Sequence, residues 1–179
     1  MRPLLRTPAP WLFAAALAVV VAVGVALRVP YLAAYPNPSG DEGNWLWAAH
    51  DLALGRPHAL LPDGRFVPLT FARAIALVFR LAGDGIAQAR ALPVALSLVA
   101  LVACPLALRA AGLSRAALAL ACVLAWHPWC VAWSRTVCVP YGPVLALSLT
   151  GVTLLFALSV SPRAFTPRAL FSWGLAWQL

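Results

Sequence analysis

Trp11-Leu12-Phe13-Ala14-Ala15-Ala16-Leu17-Ala18-Val19-Val20-Val21-Ala22-Val23-Gly24-Val25-Ala26-Leu27 runs without a polar or charged side chain. Arg2 and Arg6 precede it and Arg28 closes it. About 20 such residues cross the hydrocarbon of a bilayer as a helix. A cleaved signal peptide would have a shorter apolar core and a small-residue cleavage site. Here apolar character continues past Arg28 into Val29-Pro30-Tyr31-Leu32-Ala33-Ala34. The reading is an uncleaved first span over residues 9–31, with residues 1–8 in the cytoplasm by the positive-inside rule.

The rest of the chain matches that opening. It is 63% hydrophobic and 10% charged, with a mean hydropathy of +0.88. Soluble domains carry about 25% charged residues. The expected fold class is therefore all-α, a polytopic membrane protein. The formal charge is +8, and all 13 basic residues are Arg. They are scattered between apolar runs and form no basic patch, which excludes a nucleic-acid partner. Phosphate groups of membrane lipids are the fitting partners for such arginines.

Further spans are expected over residues 89–109, 114–133 and 139–160. The second is bounded by Arg90 and Arg109, with Pro105 as a source of a kink. The third ends among Trp126, Trp129 and Trp133, an aromatic belt at one interface. Residues 169–179 begin a fifth apolar run too short to cross. Residues 32–88 form a long loop on the outer side, because Arg2, Arg6, Arg109, Arg115, Arg163 and Arg168 then share the cytoplasmic face.

Two helices are expected inside that loop. The first covers residues 40–54 and opens with Ser39-Gly40-Asp41-Glu42. Ser39 and Glu42 have the spacing of a capping box, and Asp41 and Glu42 suit the positive end of the helix dipole. At about 100° per residue, Asp41, Asn44, Ala48 and Asp51 share a face beside an apolar arc of Trp45, Leu46, Ala49, Leu52 and Ala53. Glu42 projects on the apolar side, either reaching back to the cap or held for a purpose. The second helix, residues 68–82, carries Thr70, Arg73 and Arg80 on one face and Phe71, Ile75, Val78 and Phe79 opposite. As a basic amphipathic segment it is expected to lie in the interface. All five acidic residues lie between Asp41 and Asp84, so paired carboxylates beside a span mark Asp41 and Glu42 as candidate active-site acids.

Cys104, Cys122, Cys130 and Cys138 show neither CxxC nor zinc spacing, and only Cys130 and Cys138 are placed to approach each other. His50 and His58 stand at no metal-ligand spacing, and Glu42 and Asp51 do not make a ligand set for a divalent cation.

The order of these features resembles a known family. A first span ends in Arg28, and Asp41-Glu42 heads a loop helix. A Pro68-Leu69 helix ends at Gly83, Ala89-Arg90-Ala91-Leu92-Pro93 opens the next span, and Ser134-Arg135 precedes Pro140-Tyr141. From about Arg28 to Ala157 the chain resembles the N-terminal part of the C-superfamily membrane glycosyltransferases, the relatives of dolichyl-phosphate-mannose–protein mannosyltransferase and of the lipid A aminoarabinose transferase.

That resemblance implies a polyprenyl-phosphate-linked sugar as donor and an acceptor on the outer side of a bacterial plasma membrane. It implies Asp41 as the catalytic base and Glu42 as a second acid that orients or tunes it. It makes Arg135, and less directly Arg90 and Arg28, the residues that meet the donor phosphate. Some relatives carry a further Asp where this chain has Pro140-Tyr141. Relatives also have more spans, so the chain is expected to be a fragment or a shortened product. Two other classes compete with the enzyme: a non-catalytic membrane module that binds lipid phosphate or a partner subunit, and a channel or transporter subunit. The last predicts ionisable residues within the spans, where the chain offers chiefly the hydroxyls of Ser97, Ser148, Thr150, Thr153 and Ser159.

Overall fold

The computed structural model describes residues 9–36, 40–56, 69–137 and 143–161. Among these there are seven helices and no strand. They are α1 (Pro10–Arg28), α2 (Gly40–Ala53), α3 (Leu69–Ala82), α4 (Ile86–Ala110), α5 (Ser114–Trp126), α6 (Pro128–Ser134) and α7 (Pro143–Val160). The expected residues 1–8, the fifth apolar run at 169–179, Ser39, His58, Cys138 and Pro140-Tyr141 lie outside the described residues.

Helices α1, α4 and α7 are each long and apolar enough to cross a membrane, and α5 with α6 makes a fourth crossing if the bent pair is one span. α4 is the central helix, packed against α1, α5 and α7. The seam is built from small side chains. Ala100, Cys104, Ala117, Ala121, Ala125 and Ala146 are buried together, with Phe13, Leu17, Leu101, Leu108 and Leu124 filling between them. Lipid tails are as apolar as Leu, so close backbone approach and dispersion must hold such helices together. Gly24 shows the closeness: a Cβ there would stand 2.5 Å from Cδ2 of Leu101. Large apolar side chains such as Val19, Val99, Val123, Val152 and Phe156 face outward. Trp11 is exposed at one end of the bundle and Trp126 and Trp129 towards the other, as interfacial aromatics are.

The span expected as one straight helix over 114–133 is bent by 59° between α5 and α6. The cause is Pro128, which has no N–H to return to the carbonyl of Leu124. At the other end of α5 a tight turn joins it to α4. Gly112 takes φ +82°, and the N–H of Leu113 donates to the carbonyl of Leu108 at 2.9 Å.

Helices α2 and α3 pack against each other, at the end of the bundle where α1 stops and α4 starts. In α3 the apolar side is not the side left over for lipid. Its apolar face is covered by protein: Ala72, Ile75, Ala76 and Phe79 are buried, and Trp45 of α2 meets the Phe71 ring edge-on at 5.8 Å. Ala48, assigned to the acidic face of α2, sits fully buried against Ala72. Ala49, Ile75, Phe79, Ala89 and Val137 form a second core that fastens the pair to α4 and to the strand of chain after α6.

Candidate functional site at the loop end of the bundle

Three arginines and one carboxylate are buried where α1, α2, α4 and α6 meet. Arg28 is 1% exposed, Arg90 0%, Arg135 7% and Glu42 0%. A charge in such a place is costly unless its hydrogen bonds are met. Each of the four is met differently, and the differences define the site.

Glu42 and Arg90 form a two-pronged ion pair. Arg90 Nε donates to Glu42 Oε1 and Nη2 donates to Oε2, both at 2.7 Å. Arg90 Nη1 donates to the carbonyl of Leu32 at 2.8 Å. Glu42 Oε1 also accepts the backbone N–H of Val137 at 2.9 Å. One carboxylate thus ties the first turn of α2 to α4 and to the segment after α6. Planar fork-to-fork pairs of this kind are the strong form of the ion pair. Glu42 is therefore held by an ion pair across the bundle.

Arg135 ends α6 and reaches back to α1. Its Nη1 donates to the carbonyl of Leu27 at 2.9 Å, and its Nη2 donates to those of Pro30 and Tyr35 at 2.6 and 2.9 Å. The Tyr35 ring lies 5.4 Å from its guanidinium carbon. Arg135 Nε is buried and has no hydrogen-bond partner among the described residues. Burial first, and then the like charge of Arg90, lower the Arg135 guanidinium from its ordinary value, with Tyr35 opposing.

Arg28 ends α1 and reaches in a different direction. Nη2 donates to the carbonyl of Leu124 at 2.6 Å and Nη1 to that of Ala125 at 3.1 Å. Nε donates to Ser97 Oγ at 2.8 Å, and Nη1 also to Gly24 O at 3.2 Å. Leu124 and Ala125 lie in the last turn of α5, and Pro128 cannot supply the N–H that the Leu124 carbonyl would take. Arg28 fills that role and puts its charge at the negative end of the α5 dipole. A small opening of about 20 Å³, one water's worth, lies beside it, where Ser97, Cys130 and Ser134 meet the apolar Leu145, Ala146 and Leu149.

Asp41 is Glu42's chain neighbour and is exposed at the N-terminus of α2. The structure therefore divides the acidic pair: one carboxylate is locked in the protein and the other faces out. Arg90 joins Glu42 directly, and Arg135 stands close enough to Arg90 for their charges to be felt. Arg28 belongs to the same end of the bundle but to the α5 bend.

Three features had no sequence signal pointing to them: the Val137 N–H on Glu42, the Leu32 carbonyl on Arg90, and Ser97 under Arg28. Among the described residues no group of three His, Cys, Asp or Glu side chains is arranged to hold a metal ion. Cys104, Cys122 and Cys130 are free thiols. Compared with protein-family models, curated proteins and solved structures, the chain matches none. The site stands on its own geometry.

Proposed function

We propose that this chain carries the acid-bearing loop of a membrane glycosyltransferase that uses a polyprenyl-phosphate sugar, with Asp41 as general base. In this reading α1, α4, the bent α5–α6 pair and α7 are four spans, and α2 and α3 lie outside the cytoplasm. The observation that carries it is the division of the acidic pair. Glu42 is immobilised by Arg90 and the Val137 N–H, so the turn presenting Asp41 is rigid. A rigidly presented, solvent-facing carboxylate is what proton abstraction from an acceptor hydroxyl requires. As that proton passes to Asp41, the acceptor oxygen bonds to the anomeric carbon. The bond from that carbon to the phosphate oxygen breaks, and polyprenyl phosphate leaves with the electron pair. Among the described residues three buried arginines face one buried carboxylate here, a local positive excess that favours a departing phosphate.

Asp41→Asn tests this in membranes supplied with a polyprenyl-phosphate sugar and an acceptor. The substitution is nearly isosteric and gives up at most a dipole contribution of about 0.3–1 kcal/mol. Turnover per folded molecule should fall by about 10²–10⁴-fold, the usual worth of a positioned base. Transfer at the parental rate would refute the assignment. Absence of transfer by the parent chain itself would instead favour a non-catalytic module, a reading supported by the finding that most guanidinium donors of Arg28, Arg90 and Arg135 are already taken by protein oxygens.

A further inference from the structure

A second basic feature lies away from Glu42 and Arg90, on the outer side of the α2–α3 pair. Arg73, Leu77 and Arg80 follow one another at four- and three-residue spacing, so they share a stripe of α3. Together with Leu52 and Ala76 they line an open cleft of about 340 Å³. Arg80 is anchored across it: Nη2 donates to Leu52 O at 2.8 Å and Nε to Ala53 O at 3.1 Å, at the C-terminal end of α2. That leaves Nη1 directed elsewhere. Arg73 is exposed on the same wall, two turns or about 10 Å along the axis. Arg56 follows directly at the end of α2. Among the described residues the acids of this region are paired, Asp51 accepting from Arg56 at 3.5 Å and Asp84 partnering His50. Two apolar side chains flank the arginines, Leu77 at 56% and Leu81 at 79% exposure.

We propose that this cleft binds the phosphate of an anionic lipid headgroup from the surrounding leaflet. The charge argues for a phosphodiester, which two guanidiniums can grip from either side. The exposed leucines argue for a lipid rather than a free phosphate, because only a lipid brings acyl carbon to Leu77 and Leu81. Side chains of this kind bury apolar stems in the acyl boundary while their charged heads stay at headgroup level. The site is independent of any role for Asp41 and would hold the α2–α3 pair flat on the membrane.

The test uses the whole chain purified in a neutral detergent and titrated with dihexanoyl phosphatidylglycerol, with the melting temperature as readout. Stabilisation should saturate, and Arg73→Gln should raise the half-saturating concentration about five-fold, the worth of one arginine near an anionic surface. Arg115→Gln removes an exposed arginine at the opposite end of the bundle and should change nothing. Dihexanoyl phosphatidylcholine should stabilise at least five-fold less effectively. Should Arg73→Gln not fold, Arg73→Met keeps the apolar stem and is read in the same way. The proposal fails if Arg73 variants titrate like the parent, or if Arg115→Gln weakens binding as much. It also fails if phosphatidylcholine serves equally. Equal stabilisation by glycerol 3-phosphate would show a free-phosphate site and refute the lipid.

Discussion

Glu42 takes both of its oxygens to a place with no measurable contact with solvent, and Arg90 follows it there. Two such charges are tolerable only together. Removing one partner of a buried pair leaves an uncompensated charge and costs about 3–5 kcal/mol. Glu42→Gln should therefore be among the most damaging single substitutions in the chain, read as a large fall in melting temperature in detergent. This reverses what a capping-box reading implies, since Gln would keep a cap's hydrogen bond. Replacing both members, Glu42→Leu with Arg90→Leu, should recover much of the loss, because an apolar pair of similar volume needs no compensation. If the double variant is no better than Glu42→Gln, the ion pair is not what the site depends on. Asp41→Asn belongs to the other class: little change in melting temperature, large change in turnover.

At the scale of elements, buried arginines finish helices that cannot finish themselves. Arg28 satisfies the last carbonyls of α5, and Arg135 satisfies Leu27 in the last turn of α1. The end of α1 thus supplies the cation that caps α5, and the end of α6 supplies the one that caps α1. Pro128 makes this possible by leaving the Leu124 carbonyl without a helical N–H. Pro128→Ala would restore that N–H and set it in competition with Arg28. The expected outcome is a straighter α5–α6. Spin labels at Cys122 and at Ala132→Cys, with the other cysteines replaced, should move apart towards the about 15 Å of a continuous helix. An unchanged separation would show that packing against α4, rather than the proline, holds the 59° bend. Arg28→Lys keeps the charge but gives up the fork that spans Ser97, Leu124 and Ala125, and is expected to lower the melting temperature.

For the molecule as a whole, the buried charges sit at one end of the bundle and the short α4–α5 turn at the other. From Arg90 to its last residue, Ala110, α4 separates them by about 30 Å. That is enough to cross a bilayer. Single cysteines at Gly85 and at Gly112 should consequently be labelled by a membrane-impermeant maleimide from opposite sides, Gly85 from outside if the arginine distribution sets orientation. Labelling of both from one side would mean that α4 does not cross, and would undo the topology from α4 onward.

The apolar periods, the proline and glycine stops and the arginines between runs determined the helices themselves. They determined where the long apolar helices fall to within a few residues, because backbone hydrogen bonding acts on local sequence. The sequence by itself also placed Asp41 and Glu42 at the start of one helix. It could not say that neighbouring carboxylates would part, one to solvent and one to Arg90, 48 positions away. Nor could it say that Arg28 and Arg135 would turn inward to carbonyls, or that the apolar face of α3 would be covered by α2 rather than by lipid. Those outcomes depend on which unsatisfied groups meet when the helices pack. A buried charge finds its partner across the fold, and no local pattern records that distance.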